Sequence, residues 1–494
     1  MTDPHLPVAA AFVDGRSVPP RDTLPVLDPS TGQPCARVSR CGPADVDRAV
    51  AAARTAFETT WRDTTAADRA AACRAVARTL REHRGELAAL ECLDTGKPLR
   101  QAYADADVAA RYFEFYAGTV EALYGQTLLG HADLLAYTLQ EPHGVCGHII
   151  PWNYPMQLTA RTVAPALAAG NTCVLKPAED APLTPVRIAE LVAEAGVPAG
   201  VLNVVPGLGA EAGAALAGHP GVDHLAFTGS RATGQTVMTA AARSVVPLAL
   251  ELGGKSPHLV FADHDPEAAV PCIVASITEH AGQNCSAGSR VLVHHSVHER
   301  LTAAIAAAFT DLRVGPGAGD PDLGPLISAR QLGTVLGHIG RGRKSARLVT
   351  GGGVPAGVPA GGFYVEPTLF DDVPPDADIA QQEVFGPVLC VTPFGEPAEA
   401  VALANATAYG LSAGVWTRDV GLAHAVAREL RVSQVFVNTY SAAGGVELPF
   451  GGCRQSGFGR EKGFAALLEY TRVKAVAIHI DGALHRGTVP PADR

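Results

Sequence analysis

The stretch from residue 145 to 228 constrains the architecture more than any other part of the chain. Apolar runs too short for helices recur there. The run 145–150 ends at Pro151, 172–175 ends at Lys176-Pro177, 202–205 precedes Pro206, and 224–227 enters Thr228-Gly229-Ser230. Between them lies 184–195, where Val186, Ile188, Ala189, Leu191 and Val192 suit a helix that Gly196 stops. Short buried strands separated by helical crossovers pair in parallel, so the pattern predicts a parallel sheet covered by helices. An amphipathic helix precedes it, with Val46, Val50, Ala53 and Phe57 spaced i, i+4, i+7 and i+11. A second set of strands and helices runs from 256 to about 437, with strands at 257–261, 291–293 and 388–391. The Gly/Pro-rich 349–362 reads as a surface loop, and the first 20 residues and 482–494 read as loosely ordered.

Bulk properties exclude several classes. At 494 residues the chain has room for two or three domains, and 47% hydrophobic against 18% charged residues supports a large core. A net charge of −10 argues against nucleic acid, which needs a basic face. No apolar run approaches the roughly 18 residues of a membrane helix, and the N-terminus lacks the basic start and apolar stretch of a signal peptide. The ten cysteines are scattered without CxxC pairs. They read as reduced thiols of a cytoplasmic protein, with neither a disulfide framework nor a metal site.

One cysteine has unusual company. Cys285 lies in Glu279-His-Ala-Gly-Gln-Asn-Cys-Ser-Ala-Gly-Ser-Arg290, where small residues allow close approach of a ligand to the backbone. Elsewhere stand Pro151-Trp-Asn-Tyr-Pro155, Glu251-Leu-Gly-Gly-Lys255 and Glu383-Val-Phe-Gly-Pro387. Together they offer an amide donor, a carboxylate closing an apolar strand and a second carboxylate, the groups that thiol chemistry on a carbonyl requires. The run 229–234 begins where a strand meets a helix, so free N–H groups there suit a pyrophosphate, with Ser230 able to add a hydroxyl. The run 207–213 is one residue too long for G-x-G-x-x-G and reads as a turn into a helix.

With Lys176-Pro-Ala-Glu179, Phe227-Thr-Gly-Ser230 and Pro449-Phe-Gly-Gly452 added, the motifs fall in one order, and nearly the whole chain resembles the aldehyde dehydrogenase superfamily. The resemblance implies an α/β protein: a Rossmann-like cofactor domain (1–133 and 142–252), an α/β catalytic domain (253–447), and a small strand flap (134–141 and 466–482) that joins subunits into a homodimer or homotetramer. It implies NAD-dependent oxidation of a small aldehyde to its acid, without a metal. Cys285 is then the nucleophile and Glu251 the base for the hydrolytic water, its pKa raised by burial. Asn153 and the Cys285 backbone N–H hold the oxyanion. His280 receives no catalytic role. The implied cofactor set is Ile149, Pro151, Trp152, Lys176, Glu179, Gly209, Phe227, Gly229, Ser230, Leu252, Glu383 and Phe385. Lys176 and Glu179 would hold the adenine ribose, the carboxylate favouring NAD over NADP. Glu383 would hold the nicotinamide ribose beside Phe385.

The substrate end departs from the common pattern. Arg161 stands eight residues after Asn153, where many relatives carry an aromatic and those for acidic semialdehydes carry arginine. Glu279, six residues before Cys285, invites an Arg161–Glu279 ion pair that would cancel that charge. Thr162 replaces a frequent lysine of the proton relay, leaving Glu461 for that task. Tyr154 and Phe450 read as aromatic walls, and the small residues 441–445 as a roomy entrance. Three alternatives stand beside oxidation of an aldehyde with acyl transfer to water: a succinate-semialdehyde-type enzyme for acidic aldehydes, a coenzyme A-acylating enzyme, and a non-catalytic binding or structural protein.

Overall fold

The computed structural model describes residues 6–128, 130, 133–441 and 445–480. Expectations for 482–494 and for residues 442–444 of the entrance loop lie outside the described residues.

The expected short strands form the middle of an eight-stranded sheet. Its order is Gly457–Phe458, Leu248–Glu251, His224–Thr228, Val145–Ile149, Thr172–Lys176, Leu202–Val204, Ala11–Val13 and Arg16–Val18. The five from Leu248–Glu251 to Leu202–Val204 run parallel. Of these five, the first in chain order, Val145–Ile149, lies between the second and the fourth, so the winding reverses beside it. Ligands of open α/β sheets bind at the carboxyl ends of the strands at such a reversal. Helices Pro43–Ala56, Pro155–Ala168, Leu183–Glu194 and Arg231–Ala242 accompany this sheet, and Ala, Val, Leu and Ile fill the interfaces.

A seven-stranded sheet follows: Arg347–Thr350, Thr368–Asp371, Val388–Phe394, Arg290–His294, Pro257–Val260, Ser412–Trp416 and Gln434–Val437. It is parallel except at Arg347–Thr350. In a third sheet Leu134–Pro142 pairs antiparallel with Thr471–His479, leaving Leu135, Leu139, Val473 and Ile478 exposed. No described helix is long and apolar enough to cross a membrane.

The N-terminus corrects the expectation of loose order. Val8–Ala9 pairs with Gln33–Ser39. Ala11–Val13 and Arg16–Val18 form a hairpin on the edge of the large sheet, where Phe12 pairs with Val204. The turn is Asp14-Gly15, both at positive φ (55° and 74°), the geometry that makes Asp-Gly a tight hairpin signal. The buried triplet Ala11-Phe12-Val13 covers a sheet edge that would otherwise be bare.

Two histidines of the large sheet are buried without compensation. Neither ring nitrogen of His148 has a hydrogen-bond partner, and desolvation pushes its pKa down to about 3. His224, stacked on His143 at 4.9 Å, is held well below its ordinary value, first by desolvation and then by the neighbouring histidines. Such groups are neutral when folded but bind protons when unfolded. Their stabilisation is therefore complete above the unfolded pKa near 6.5 and falls by about 1.4 kcal/mol per pH unit below it. His148→Leu should flatten the decline of melting temperature between pH 7 and 5. Equal slopes in the variant and the parent would contradict this account.

Candidate active site

Cys285 is presented by a constrained loop. Helix Pro266–Thr278 ends, and the chain then passes through left-handed backbone at His280 (φ 46°, ψ 41°) and Ala281 (φ 54°, ψ 35°) before Gly282 (φ 72°). Two consecutive non-glycine residues in this region cost on the order of 1–3 kcal/mol each and persist only where the surroundings hold them. Gln283 does so: its side chain donates to the His280 carbonyl (3.0 Å) and accepts from the Ile327 N–H (2.9 Å). Beyond it, Asn284 Oδ1 accepts from the Ser286 N–H (3.1 Å) and hydroxyl (3.0 Å), and the Tyr440 hydroxyl donates to the Ser286 carbonyl (2.7 Å).

Asn153 meets this loop from the other sheet. It follows strand Val145–Ile149, and its Nδ2 donates to the Gln283 carbonyl at 3.0 Å. A carboxamide nitrogen carries two hydrogens, so one donor remains for a ligand. The backbone is anchored by Lys97, whose ammonium donates to the Asn153 carbonyl (3.1 Å) while pairing with Glu91 (3.0 Å) and Asp105. All three ionic groups are buried.

Glu251 closes strand Leu248–Glu251, as expected from its place after an apolar run, and is 1% exposed. Neither carboxylate oxygen has a hydrogen-bond partner. Desolvation, with Glu461 nearby, holds its pKa well above the carboxylate range against the opposing pull of Arg161 and Arg460. The thiol of Cys285 is pushed up to about 12, first by desolvation, with Arg161 acting in the other direction. Cys285 therefore rests as a neutral thiol.

These groups line one cavity of about 900 Å³, together with Pro151, Trp152, Tyr154, Arg161, Gly229, Ser230, Leu252, Glu279, Glu383, Phe385 and Phe450. On the cofactor side, Glu383 Oε1 accepts from the Gly254 N–H at 3.0 Å. Burial raises Glu383 to about 7, opposed by that bond and by Lys255. A Cβ on Gly253 would lie 2.1 Å from Glu383 Oε2, so glycine is required for the carboxylate to sit there. Phe385 stands at φ 56° with its ring 5.3 Å from that of Trp152, edge to face. It is half-buried on the cavity wall, which excludes plain core packing. Ser230 caps helix Arg231–Ala242, accepting from the Thr233 N–H at 3.3 Å, so its hydroxyl already has a partner.

The remaining expected cofactor residues sit apart from this cavity, at the carboxyl edge of the large sheet. Ile149 lies between Lys176 and Phe227 in strand register. Lys176 donates to Glu179 at 2.9 Å, and the Gly209 N–H helps to lower the Glu179 pKa. A buried carboxylate, a helix N-terminus and a Lys–Glu pair along the carboxyl edge form a donor set that fits a dinucleotide.

The expected Arg161–Glu279 pair is absent. Arg161 donates through Nε to Glu461 instead and lies 4.4 Å from the centre of the Phe450 ring. Reciprocal backbone bonds between Phe450 and Glu461 (2.6 and 2.7 Å) bring that carboxylate in. Glu279 lies by Tyr154, and its pKa is raised, chiefly by burial and then by Asp105. The Thr162 hydroxyl bonds the Leu158 carbonyl (2.9 Å) within its own helix, so it takes no part in a relay.

Sequence reasoning missed Lys97, Tyr440 and Lys462. Lys462 lines the cavity with its ammonium 5.3 Å from the Phe450 centroid. Burial, then Arg161, pushes its pKa down to about 8. Its backbone (φ 63°, ψ 166°) lies in a region occupied almost only by glycine. Nothing in Gly459-Arg-Glu-Lys-Gly463 signals this.

The fold and site define an aldehyde-oxidising class of enzyme. The description "Aldehyde dehydrogenase family" matches residues 16–476, and the chain belongs to that family. A hydroxyisobutyraldehyde dehydrogenase from Mycolicibacterium austroafricanum is 43% identical over 95% of this chain and 94% of its own length. A crystal structure assigned as an aldehyde dehydrogenase from Burkholderia cenocepacia is 53% identical with a TM-score of 0.94, covering 96% of this chain and 100% of that one. An NAD+ complex of aldehyde dehydrogenase from Bacillus cereus is 41% identical with a TM-score of 0.93, covering 96% of both chains.

A thiol raised to about 12 reacts through a small thiolate fraction that grows tenfold per pH unit. Alkylation of Cys285 in the free protein, followed by peptide mass, should rise without a plateau up to pH 10. A plateau with a midpoint below 8 would contradict the burial argument.

Proposed function

We propose that this chain oxidises an aldehyde to its carboxylic acid with NAD, through a covalent adduct on Cys285. The observation that carries the reading is the convergence of Cys285, Asn153 and Glu251, from three separate elements, on one cavity. The thiol proton leaves to Glu251, and sulfur adds to the aldehyde carbon. The oxyanion of the thiohemiacetal is held by the free Nδ2 hydrogen of Asn153 and the Cys285 backbone N–H. NAD, when bound, would supply the hydride acceptor, and loss of hydride from that carbon would leave a thioester on Cys285. Glu251 releases the thiol proton to solvent and, again a carboxylate, takes a proton from water; the water oxygen adds to the thioester carbon, and collapse expels the thiolate and frees the acid. A buried base beside the thiol supports transfer to water over transfer to coenzyme A.

Glu383, Phe385 and Trp152 would orient the nicotinamide end, and Ser230 and Gly229 would meet the pyrophosphate at a helix start. Lys176 and Glu179 would meet the adenine ribose, where the Glu179 carboxylate repels a 2′-phosphate. The carrying split is a cofactor part at 1–133 and 142–252, a catalytic part at 253–447 and a strand flap. The edge strand Thr471–His479, with Val473 64% exposed, suits pairing with a second copy in a homodimer or homotetramer.

Cys285→Ala should form no NADH with any aldehyde while still binding NAD by calorimetry. Turnover in that variant would refute the nucleophile. Glu251→Gln should release one NADH per subunit in a burst and then slow by about 100-fold or more, whereas an unchanged steady rate would remove its role. Asn153→Ala should lower kcat by roughly 100- to 1,000-fold, measured under saturating aldehyde.

A further inference from the structure

Three cationic side chains line the cavity among the described residues: Arg100, Arg161 and Lys462. Arg100 donates to the Asp320 and Pro321 carbonyls and to Asp322, and Arg161 is ion-paired through Nε with Glu461, although its buried Nη2 keeps no hydrogen-bond partner. Lys462 is different. Its ammonium has no hydrogen bond and no ion pair, and its surroundings are the Phe450 ring, the Arg161–Glu461 pair, Glu279 and Cys285.

The backbone explains how it comes to point there. On one side Glu461 is tied to Phe450 by reciprocal bonds, and on the other the Gly463 N–H donates to Val446 (2.7 Å) and its carbonyl accepts from Tyr116 (3.2 Å). Between these fixed points Lys462 adopts a conformation that glycine takes freely and a branched Cα does not. Its side chain is half-buried, on the cavity wall. A residue strained in the backbone, whose ammonium faces the cavity without a protein partner, is placed to meet a ligand that arrives later. Glu279 shares the wall, but burial holds its carboxyl toward the neutral form beside Tyr154.

We propose that Lys462 is the specificity residue of this site: its ammonium, over Phe450, takes the carboxylate tail of an acidic aldehyde and rejects aldehydes with a cationic tail. This rests on the aldehyde-oxidising reading above. It also moves the anion grip from Arg161, where the sequence suggested it, to the cation that the structure leaves unpaired.

The test is NADH formation by the full chain on straight aldehydes of equal length that end in methyl, carboxylate or trimethylammonium. The parent should prefer carboxylate over methyl, and methyl over trimethylammonium, in kcat/KM. Lys462→Met should reduce the carboxylate-to-methyl ratio by about tenfold or more, mainly through KM. Lys462→Arg should keep the preference. Lys462→Gly should lose it while melting no lower than the parent, since glycine relieves the backbone. Equal kcat/KM across the three tails in the parent would overturn the proposal, as would a loss in Lys462→Met that is uniform across tails. No oxidation of even the methyl-tailed aldehyde by the parent would instead overturn the dehydrogenase reading, and this proposal with it.

Discussion

Burial among protein atoms around the cavity between the two large sheets sets the state of the ionisable groups that line it. Desolvation is the largest cause of the shift at Cys285, Glu251, Glu279, Glu383 and Lys462. In each case it drives the group toward its neutral form. Where full charges persist nearby they are compensated, as in Arg161 with Glu461 and Lys97 with Glu91 and Asp105. Lys462 is the exception, a cation on the cavity wall without an ion pair, and interactions with a charge that develops during reaction are strengthened where the surroundings are of low dielectric. The same burial that keeps Cys285 a neutral thiol at rest holds Glu251 well above the ordinary carboxylate range.

Holding such a site costs stability, and the cost is visible in the backbone. His280, Ala281, Phe385 and Lys462 all carry positive φ, and all lie on the cavity or on the loop that presents Cys285. Each is pinned by partners from distant elements: Gln283 and Ile327 around the thiol loop, Trp152 against Phe385, Phe450 and Val446 around Lys462. The two sheets act as a rigid frame that makes these conformations affordable, and the buried Lys97 cluster ties that frame to the Asn153 backbone.

Much of this was legible in the sequence because it is local. The strands at 145, 172, 202 and 224 were marked by apolar runs with glycine or proline at their ends, and the burial of Glu251 followed from the strand it closes. The hairpin at residues 11–18 was equally local, and its Asp14-Gly15 turn was present to be read, but a strand of three residues is too short to show alternation. The partner of Arg161 was not legible at all. Glu279 and Glu461 are both acidic and both distant in sequence, and only the Phe450–Glu461 bridge decides between them. Lys97 and Lys462 were missed for a related reason: lysine is ordinarily a surface residue, and nothing in the sequence announces that Lys97 is buried or that Lys462 lines the cavity.

The central claim is that Cys285 carries the acyl group between hydride transfer and hydrolysis. It is tested most directly by mass spectrometry of the Glu251→Gln variant, quenched in acid after mixing with aldehyde and NAD. The account predicts a mass increase equal to the acyl group on the peptide containing Cys285, present only when both aldehyde and NAD are supplied. No adduct, or an adduct on any other residue, would contradict it.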